Sequence, residues 1–236
     1  MKQRLQKIGE EIWIYEGSTV SFYGFPFPTR MTIVRLDNGE LWLHSPVKSN
    51  NNLKRDLLAL GRVKYLVAAN TLHHLFLSEW INEYPEAIRY AAPGLAKKRK
   101  DIEFNVELSE AAENQWAKEI SQTIFRGSPA MEEVVFFHRR SSTLILTDLI
   151  ENLAPSTLSW WQRILARYAG ILAPNGKTPV DWRLSFLFGS RAKARKSVAQ
   201  MLEWAPDNVV LSHGECVFGE GSRFLRSSFS WLLKSR

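Results

Sequence analysis

Short apolar runs that each lead to a polar, chemistry-bearing side chain most restrict how this chain can fold. Residues 63–69 lead through Asn70-Thr71 to His73-His74, residues 143–147 stop at Asp148, and residues 209–212 stop at His213-Gly214. Runs this short, rich in β-branched and aromatic residues and bounded by turn formers, are strand-sized. Stretches of helical spacing separate them, so the order is mixed α/β. In such folds ligands gather beyond the carboxyl ends of the strands, where loops and helix starts converge. Three chain-distant groups of metal-capable residues are therefore expected along one sheet edge.

The remaining pattern supports this order. Residues 11–16 alternate as an opening strand, and 31–36 with 41–43 read as a hairpin around Asp37-Asn38-Gly39, where Asn-Gly supplies the positive φ of the turn. Leu53, Leu57, Leu58 and Leu60 share one side of a helix that Gly61 stops. Leu75, Leu77, Trp80 and Ile81 predict a helix running to Pro85, and 87–92 a further strand. Residues 109–120 predict a polar helix, and 134–137 with 143–147 a second hairpin. From Glu151 to about Trp204 the spacing is helical, and Trp160, Trp161 and Trp182 are expected to pack that segment.

With 236 residues, 45% of them hydrophobic, the chain can bury a full core, and a single domain over 1–236 with a helical insertion at about 151–205 is expected. The lone Cys216 excludes an intramolecular disulfide and a cysteine-rich metal framework. Charges interrupt the apolar residues after Lys2, Arg4 and Lys7, so no signal-peptide core follows, and no apolar run reaches the ~18 residues of a membrane span. A soluble, cytoplasmic protein without membrane contact is expected. The formal charge is +7, with basic runs at 97–100 and 191–196. Neither run is interleaved with stacking aromatics, so both read as solvated helix faces rather than a nucleic-acid surface. The expected partner is a small-molecule substrate or ligand; the oligomeric state is left open.

Imidazole and carboxylate are ligands that zinc, iron and manganese accept. His73, His74, Asp148 and His213 are the candidate set. Each residue also has a plain reading, as a helix-terminal histidine, a helix cap or a turn. Asn70 could hold a ligand by a hydrogen bond from behind. His44, ending the second strand of the first hairpin, is a supporting or structural candidate. Arg30 follows the aromatic, proline-rich stretch 22–28, read as a loop that could close over the pocket, and is a candidate for binding the anionic part of a substrate or simply an exposed arginine. Ser141 and Ser142 lie in no nucleophile elbow, which argues against serine hydrolysis. His138 falls four residues into its hairpin, away from the strand ends in question.

The segment order resembles the metallo-β-lactamase superfamily over about residues 8–218. Residues 63–74 resemble its strand and His-x-His-x-Asp-His motif, Leu144-Ile145-Leu146-Thr147-Asp148-Leu149 its strand ending in Asp, and Leu211-Ser212-His213-Gly214 its final histidine. Leu43-His44-Ser45-Pro46, residues 72–77 and residues 137–144 resemble a functionally uncharacterised bacterial branch. The resemblance implies a four-layer αββα sandwich. It also implies a reduced metal centre. The motif's two earlier histidines fall on Ala69 and Thr71, and the histidine expected between the motif and Asp148 is absent, so the first of two metal sites is lost. The second keeps His73 in place of Asp, His74, Asp148 and His213. Such a set implies one divalent ion, zinc or iron, with Asp148 in the catalytic centre of a mononuclear hydrolase of small esters, thioesters, lactones or phosphoesters. The other reading is a metal-free scaffold acting as a non-catalytic binding or regulatory protein. Neighbouring residues on a regular helix point about 100° apart, so both histidines can ligate only if their junction is a loop.

Overall fold

Along the strands, successive side chains enter two different apolar layers, and this period of two builds the whole architecture. The computed structural model describes residues 4–22 and 24–233; Tyr23, within the aromatic stretch 22–28, lies outside the described residues, as does Lys2. Strands β1 (Leu5–Gly9), β2 (Ile12–Phe22), β3 (Phe25–Arg35) and β4 (Glu40–His44) form an antiparallel meander. Helix α1 (Asn51–Leu60) leads to β5 (Arg62–Ala68), α2 (Leu77–Glu83) to β6 (Ile88–Ala91), and α3 (Leu95–Lys98) to β7 (Val106–Glu107). From β4 onward these strands pair in parallel, completing a seven-stranded sheet in the order β1 to β7. The second sheet runs β11-β10-β9-β8, from β8 (Ile120–Phe125), β9 (Glu133–His138), β10 (Thr143–Leu146) and β11 (Asn208–Leu211). Between the parallel pair β10 and β11 lie α4 (Trp160–Ala169), α5 (Val180–Ser185) and α6 (Arg191–Glu203); α7 (Gly221–Ser228) and α8 (Ser230–Leu233) follow.

In β4, Leu41 and Leu43 pack outward in one cluster with Leu53, Leu57 and Trp80 of the first helices. Trp42 between them points inward and meets Phe136 of the second sheet, ring centroids 4.9 Å apart. In β9, Val134 and Phe136 face inward, while Val135 and Phe137 share the outer cluster with Val198, Met201, Phe224 and Leu225. Helices, sheet, sheet and helices therefore stack as an αββα sandwich, the expected class. Full burial of each large apolar side chain contributes about 1.5–3 kcal/mol, so the sheets form a stiff frame for whatever their edges carry.

Three expectations are corrected. Residues 109–118 are not helical. Trp116 is drawn into the core against Tyr90 (4.7 Å), and side chains satisfy the local backbone: Gln122 donates to the Ser109 and Ala111 carbonyls (2.8 and 2.7 Å). The chain then enters β8. The described part of the stretch 22–28 is not a free loop either; Phe22 and Phe25–Pro28 belong to the paired strands of the β2–β3 hairpin, with Val20 opposite Phe27. Because β4 pairs only with residues 32–35 of β3, Pro26 and Pro28 sit where one side of the strand is unpaired. Of the three tryptophans expected to pack the helical segment, only Trp182 is buried; Trp160 and Trp161 are exposed. No helix among the described residues is long and apolar enough to cross a membrane.

Candidate metal centre

Parallel pairing of β10 with β11 sets Leu146 opposite Leu211, so Asp148 and His213 each lie two residues past the paired ends. Asn70 lies two residues past the end of β5, and the Val134 amide of the second sheet donates to the Ala69 carbonyl (2.8 Å), joining the two sheets there. Residues 69–76 form an irregular loop before α2. Within it, His73 swings toward the other two. Its Nε2 is 3.0 Å from Asp148 Oδ1 and 3.2 Å from His213 Nε2, and His213 Nε2 is also 3.0 Å from Asp148 Oδ1. One ligand atom from each residue lies within 4.8 Å of the others.

These residues fit a metal ion. Ligands about 2.0 Å from a tetrahedral ion stand about 3.3 Å from one another, close to the three separations observed. The outer nitrogens are anchored as well. His213 Nδ1 donates to the Pro28 carbonyl (2.8 Å), which directs the Nε2 lone pair into the cluster, and His73 Nδ1 meets the Ser45 hydroxyl. Burial alone would push the Asp148 carboxyl up, but the two imidazoles outweigh it and hold Asp148 well below the usual carboxylate range. Burial likewise lowers His213, yet the hydrogen bond and charge of Asp148, with Glu151 behind, raise it above an ordinary histidine.

Asn70 and Glu133 support the cluster from below. Asn70 Oδ1 accepts from the Leu72 and His73 amides (2.8 and 3.0 Å), shaping the loop, while its Nδ2 donates to Asp148 Oδ2 (2.7 Å), Thr147 Oγ1 (2.9 Å) and Glu133 Oε2 (3.2 Å). Glu133 is fully buried and accepts from the amides of Thr147, Asp148 and Leu149 (2.8, 2.8 and 3.0 Å). Burial and then the Asp148 charge push its carboxyl up. Sequence reasoning passed over Glu133 and Ser45; the one signal for Glu133 was an acid opening an otherwise apolar strand.

Three candidates take other roles. His74 turns away and accepts from Arg99 Nη1 at Nδ1 (2.6 Å), so it is not in the cluster; burial, then Arg99 and Lys98, push its pKa down. Arg30 is not an anion receptor at the pocket mouth. It is buried, with Nη1 donating to the Leu211 carbonyl, Nη2 to the Gly214 carbonyl (2.7 Å) and Nε to Glu16 (2.7 Å). It thus straps β3 to the turn that carries His213. Gly214 has φ +88°, and a Cβ there would lie 2.0 Å from the Asn152 carbonyl, so the turn requires glycine. His44 makes no hydrogen bond to a ligand residue. It stacks on Trp42 (5.5 Å, 12°) against the edge of Phe136, and neither ring nitrogen has a partner among the described residues. His138 lies at the far end of β9 from Glu133, ~17 Å away at strand rise, bonded to Ser141 (2.7 Å).

Burial, with a smaller contribution from His73, lowers the His44 pKa to about 3. Replacing His44 by Leu removes unpaired buried polar atoms, so the variant is expected to be as stable as the wild type at pH 7, or up to about 1 kcal/mol more stable. The unfolded imidazole titrates near 6.5, so as pH falls from there toward 3 the wild type loses ground to the variant by up to ~1.4 kcal/mol per pH unit. Urea melts at pH 7 and pH 5 check this; a difference independent of pH would contradict it.

Above the cluster lies a cavity of about 420 Å³. His73, Asp148 and His213 form its polar floor; Phe27, Leu72, Phe76, Met131 and Trp182 are among its apolar walls. Glu151 and Asp181 also line it, and no Lys or Arg does among the described residues. Glu151 is buried on this wall. Burial, together with the charges of Asp148 and Asp181 and against the pull of His213, pushes its carboxyl up to about 8.

Solved structures with this architecture include metallo-beta-lactamases and an oxygen:oxidoreductase. The chain is similar to DIM-1 metallo-beta-lactamase, in a structure exposed to ceftazidime, at 16% identity and TM-score 0.63, covering 97% of this chain and 96% of that one. It is similar to a metallo-beta-lactamase from Pontibacter korlensis at 14% identity and TM-score 0.64, covering 98% and 99%. It is also similar to rubredoxin oxygen:oxidoreductase from Desulfovibrio gigas at 14% identity and TM-score 0.65, covering 97% of this chain but only 61% of that one. The fold is thus that of the metallo-β-lactamases. No curated protein sequence matches the chain. Residues 9–159, which include Arg30, Ser45, Asn70, His73, Glu133 and Asp148, match the family described as domain of unknown function DUF4336. The chain belongs to that family, built on a metallo-β-lactamase fold.

Proposed function

We propose that His73, Asp148 and His213 hold one divalent metal ion, zinc or iron, and that the protein is a mononuclear metal-dependent hydrolase of small neutral esters, thioesters or lactones. The observation that carries this reading is the convergence of two imidazole Nε2 atoms and one carboxylate oxygen at 3.0–3.2 Å, with each imidazole's other nitrogen anchored. When bound, such an ion lowers the pKa of a coordinated water toward neutrality and supplies a nucleophile. The chain's own residues do the rest. Ser45 and the Pro28 carbonyl orient the imidazoles, Asn70 and Glu133 fix the Asp148 loop, and the apolar walls hold an uncharged acyl group and exclude water. Glu151, whose carboxyl burial pushes up, faces the same cavity and is placed as a proton donor for a leaving alkoxide or thiolate. Phe27, Leu72, Phe76, Met131 and Trp182 line the cavity and no Lys or Arg does among the described residues to meet a phosphate, which favours neutral substrates within the wider hydrolase reading.

The test is elemental analysis of untagged protein, wild type against His73→Ala, Asp148→Ala, His213→Ala and His74→Ala. One ion per chain is expected in the wild type and in His74→Ala, with loss in the other three. A folded wild type that takes up no metal, even when zinc or iron is supplied, would overturn the site. Bound metal without turnover of any aryl ester, thioester or lactone would leave a metal-holding, non-catalytic protein.

A further inference from the structure

Helix α4 wears its apolar face outward. Trp160, Trp161, Ile164, Leu165 and Tyr168 fall within an arc of about 140° at 100° per residue, and all five are exposed, Trp160 at 74% and Tyr168 at 82%. On the opposite side Ala166 is buried. The following segment repeats the inversion: Val180, Leu184, Leu187 and Phe188 are exposed, the last two at 67% and 87%, while Trp182 and Phe186 between them are buried. Arg183 of α5 donates to the Ala169 carbonyl at the end of α4 (2.8 Å), tying the two helices together. Single exposed apolar side chains are ordinary, but nine, seven on two joined helices and two just after α5, form a patch of the kind that marks an interaction surface.

Charge says what the patch meets. Residues 152–200 contain eight Lys or Arg and a single acid, Asp181, a net +7 that equals the formal charge of the entire chain; the remaining 23 basic and 23 acidic residues balance. Arg167 lies on α4 itself and is exposed, and Arg191, Lys193, Arg195 and Lys196 open α6 directly after Phe188 and are exposed too. We propose that the α4–α5 surface seats this protein on an anionic lipid bilayer, with its aromatic and aliphatic side chains in the headgroup and upper acyl region and its arginines and lysines on the lipid phosphates. Tryptophan, tyrosine and long aliphatic residues flanked by cations are the composition of interfacial helices. A nucleic acid would be served by the cations and rings but would gain nothing from Ile164, Leu165, Leu184 and Leu187. A second copy packed on the same face would bring two +7 segments together. The patch also adjoins the cavity. Phe25 meets Trp161 (6.0 Å), and Phe27, two residues along the same face of β3, meets His213 (5.2 Å).

The test is vesicle flotation of the full chain with phosphatidylcholine alone and with about a third phosphatidylglycerol. The variants are Trp160→Ser with Tyr168→Ser, Phe188→Ser, and Lys193→Glu with Arg195→Glu, each checked for an unchanged melting temperature. The wild type is expected to float with the anionic vesicles only. Each variant, and a rise to about 1 M salt, should lower the bound fraction about tenfold. A wild type that stays off anionic vesicles would overturn the proposal. So would a wild-type dimer that the serine variants turn into monomer without change in vesicle binding, or a single-stranded RNA bound without lipid and lost in the same variants.

Discussion

Glu133→Ala is expected to destabilise the protein by about 3–5 kcal/mol and to abolish metal uptake at the neighbouring cluster. Three backbone amides, of Thr147, Asp148 and Leu149, share this one buried carboxylate, and Asn70 gives it a fourth donor. Each buried donor left unsatisfied costs about 1–3 kcal/mol, and release of a desolvated carboxyl recovers only part of that. The loop from Thr147 to Leu149 turns around the Glu133 side chain, so without it Asp148 has no fixed direction from which to hold His73 and His213. Glu133→Gln keeps one acceptor oxygen but turns an NH₂ group toward amides that can only donate, and should fall between Ala and wild type. Urea unfolding gives the stability and zinc titration of the folded protein the affinity. A loss under about 1 kcal/mol with affinity unchanged would show that the loop is held by something else.

Arg30→Met is the second large effect, with about 2–4 kcal/mol lost and metal affinity lowered about 10–100-fold, the range for residues that orient metal ligands. The guanidinium joins three acceptors from distant parts of the chain, two of them the carbonyls flanking His213 at Leu211 and Gly214. Arg30→Lys keeps the charge but cannot span three acceptors with one ammonium, and should be nearly as damaging. An anion-binding role for Arg30 makes the opposite prediction: a raised KM for anionic substrates, with stability and metal affinity unchanged. The two patterns separate in a melt and a zinc titration.

Much of the frame was legible because strand, turn and helix-stop signals are local. The alternation Leu41-Trp42-Leu43 specifies two faces, Asn38-Gly39 a turn, and Gly61 a helix end, each within a few residues. The ends of the runs at 63–69, 143–147 and 209–212 announced Asn70, the His73-His74 pair, Asp148 and His213; parallel pairing aligns only the last two runs, and it is the packing of the two sheets, not a single sheet edge, that brings the end of β5 beside them. Helical spacing misled at 109–118, where Trp116 gains more from the inter-sheet core than the backbone would from a helix. It also misled at α4, whose apolar stripe is real but faces outward, since periodicity reports that a helix has two faces and not which one is covered.

What the sequence by itself determined was therefore the layer order and the identity of the ligand-bearing strand ends. Only the tertiary structure decided which of His73 and His74 enters the cluster, because that depends on Ser45 and Arg99, 28 and 25 residues away. It likewise decided that Arg30 is a strap, through carbonyls 181 and 184 residues along the chain, and that Glu133 holds the Asp148 loop. The physical reason is common to all three. A side chain's direction at a strand end is set by hydrogen bonds to groups that are neighbours only after the sheets have packed.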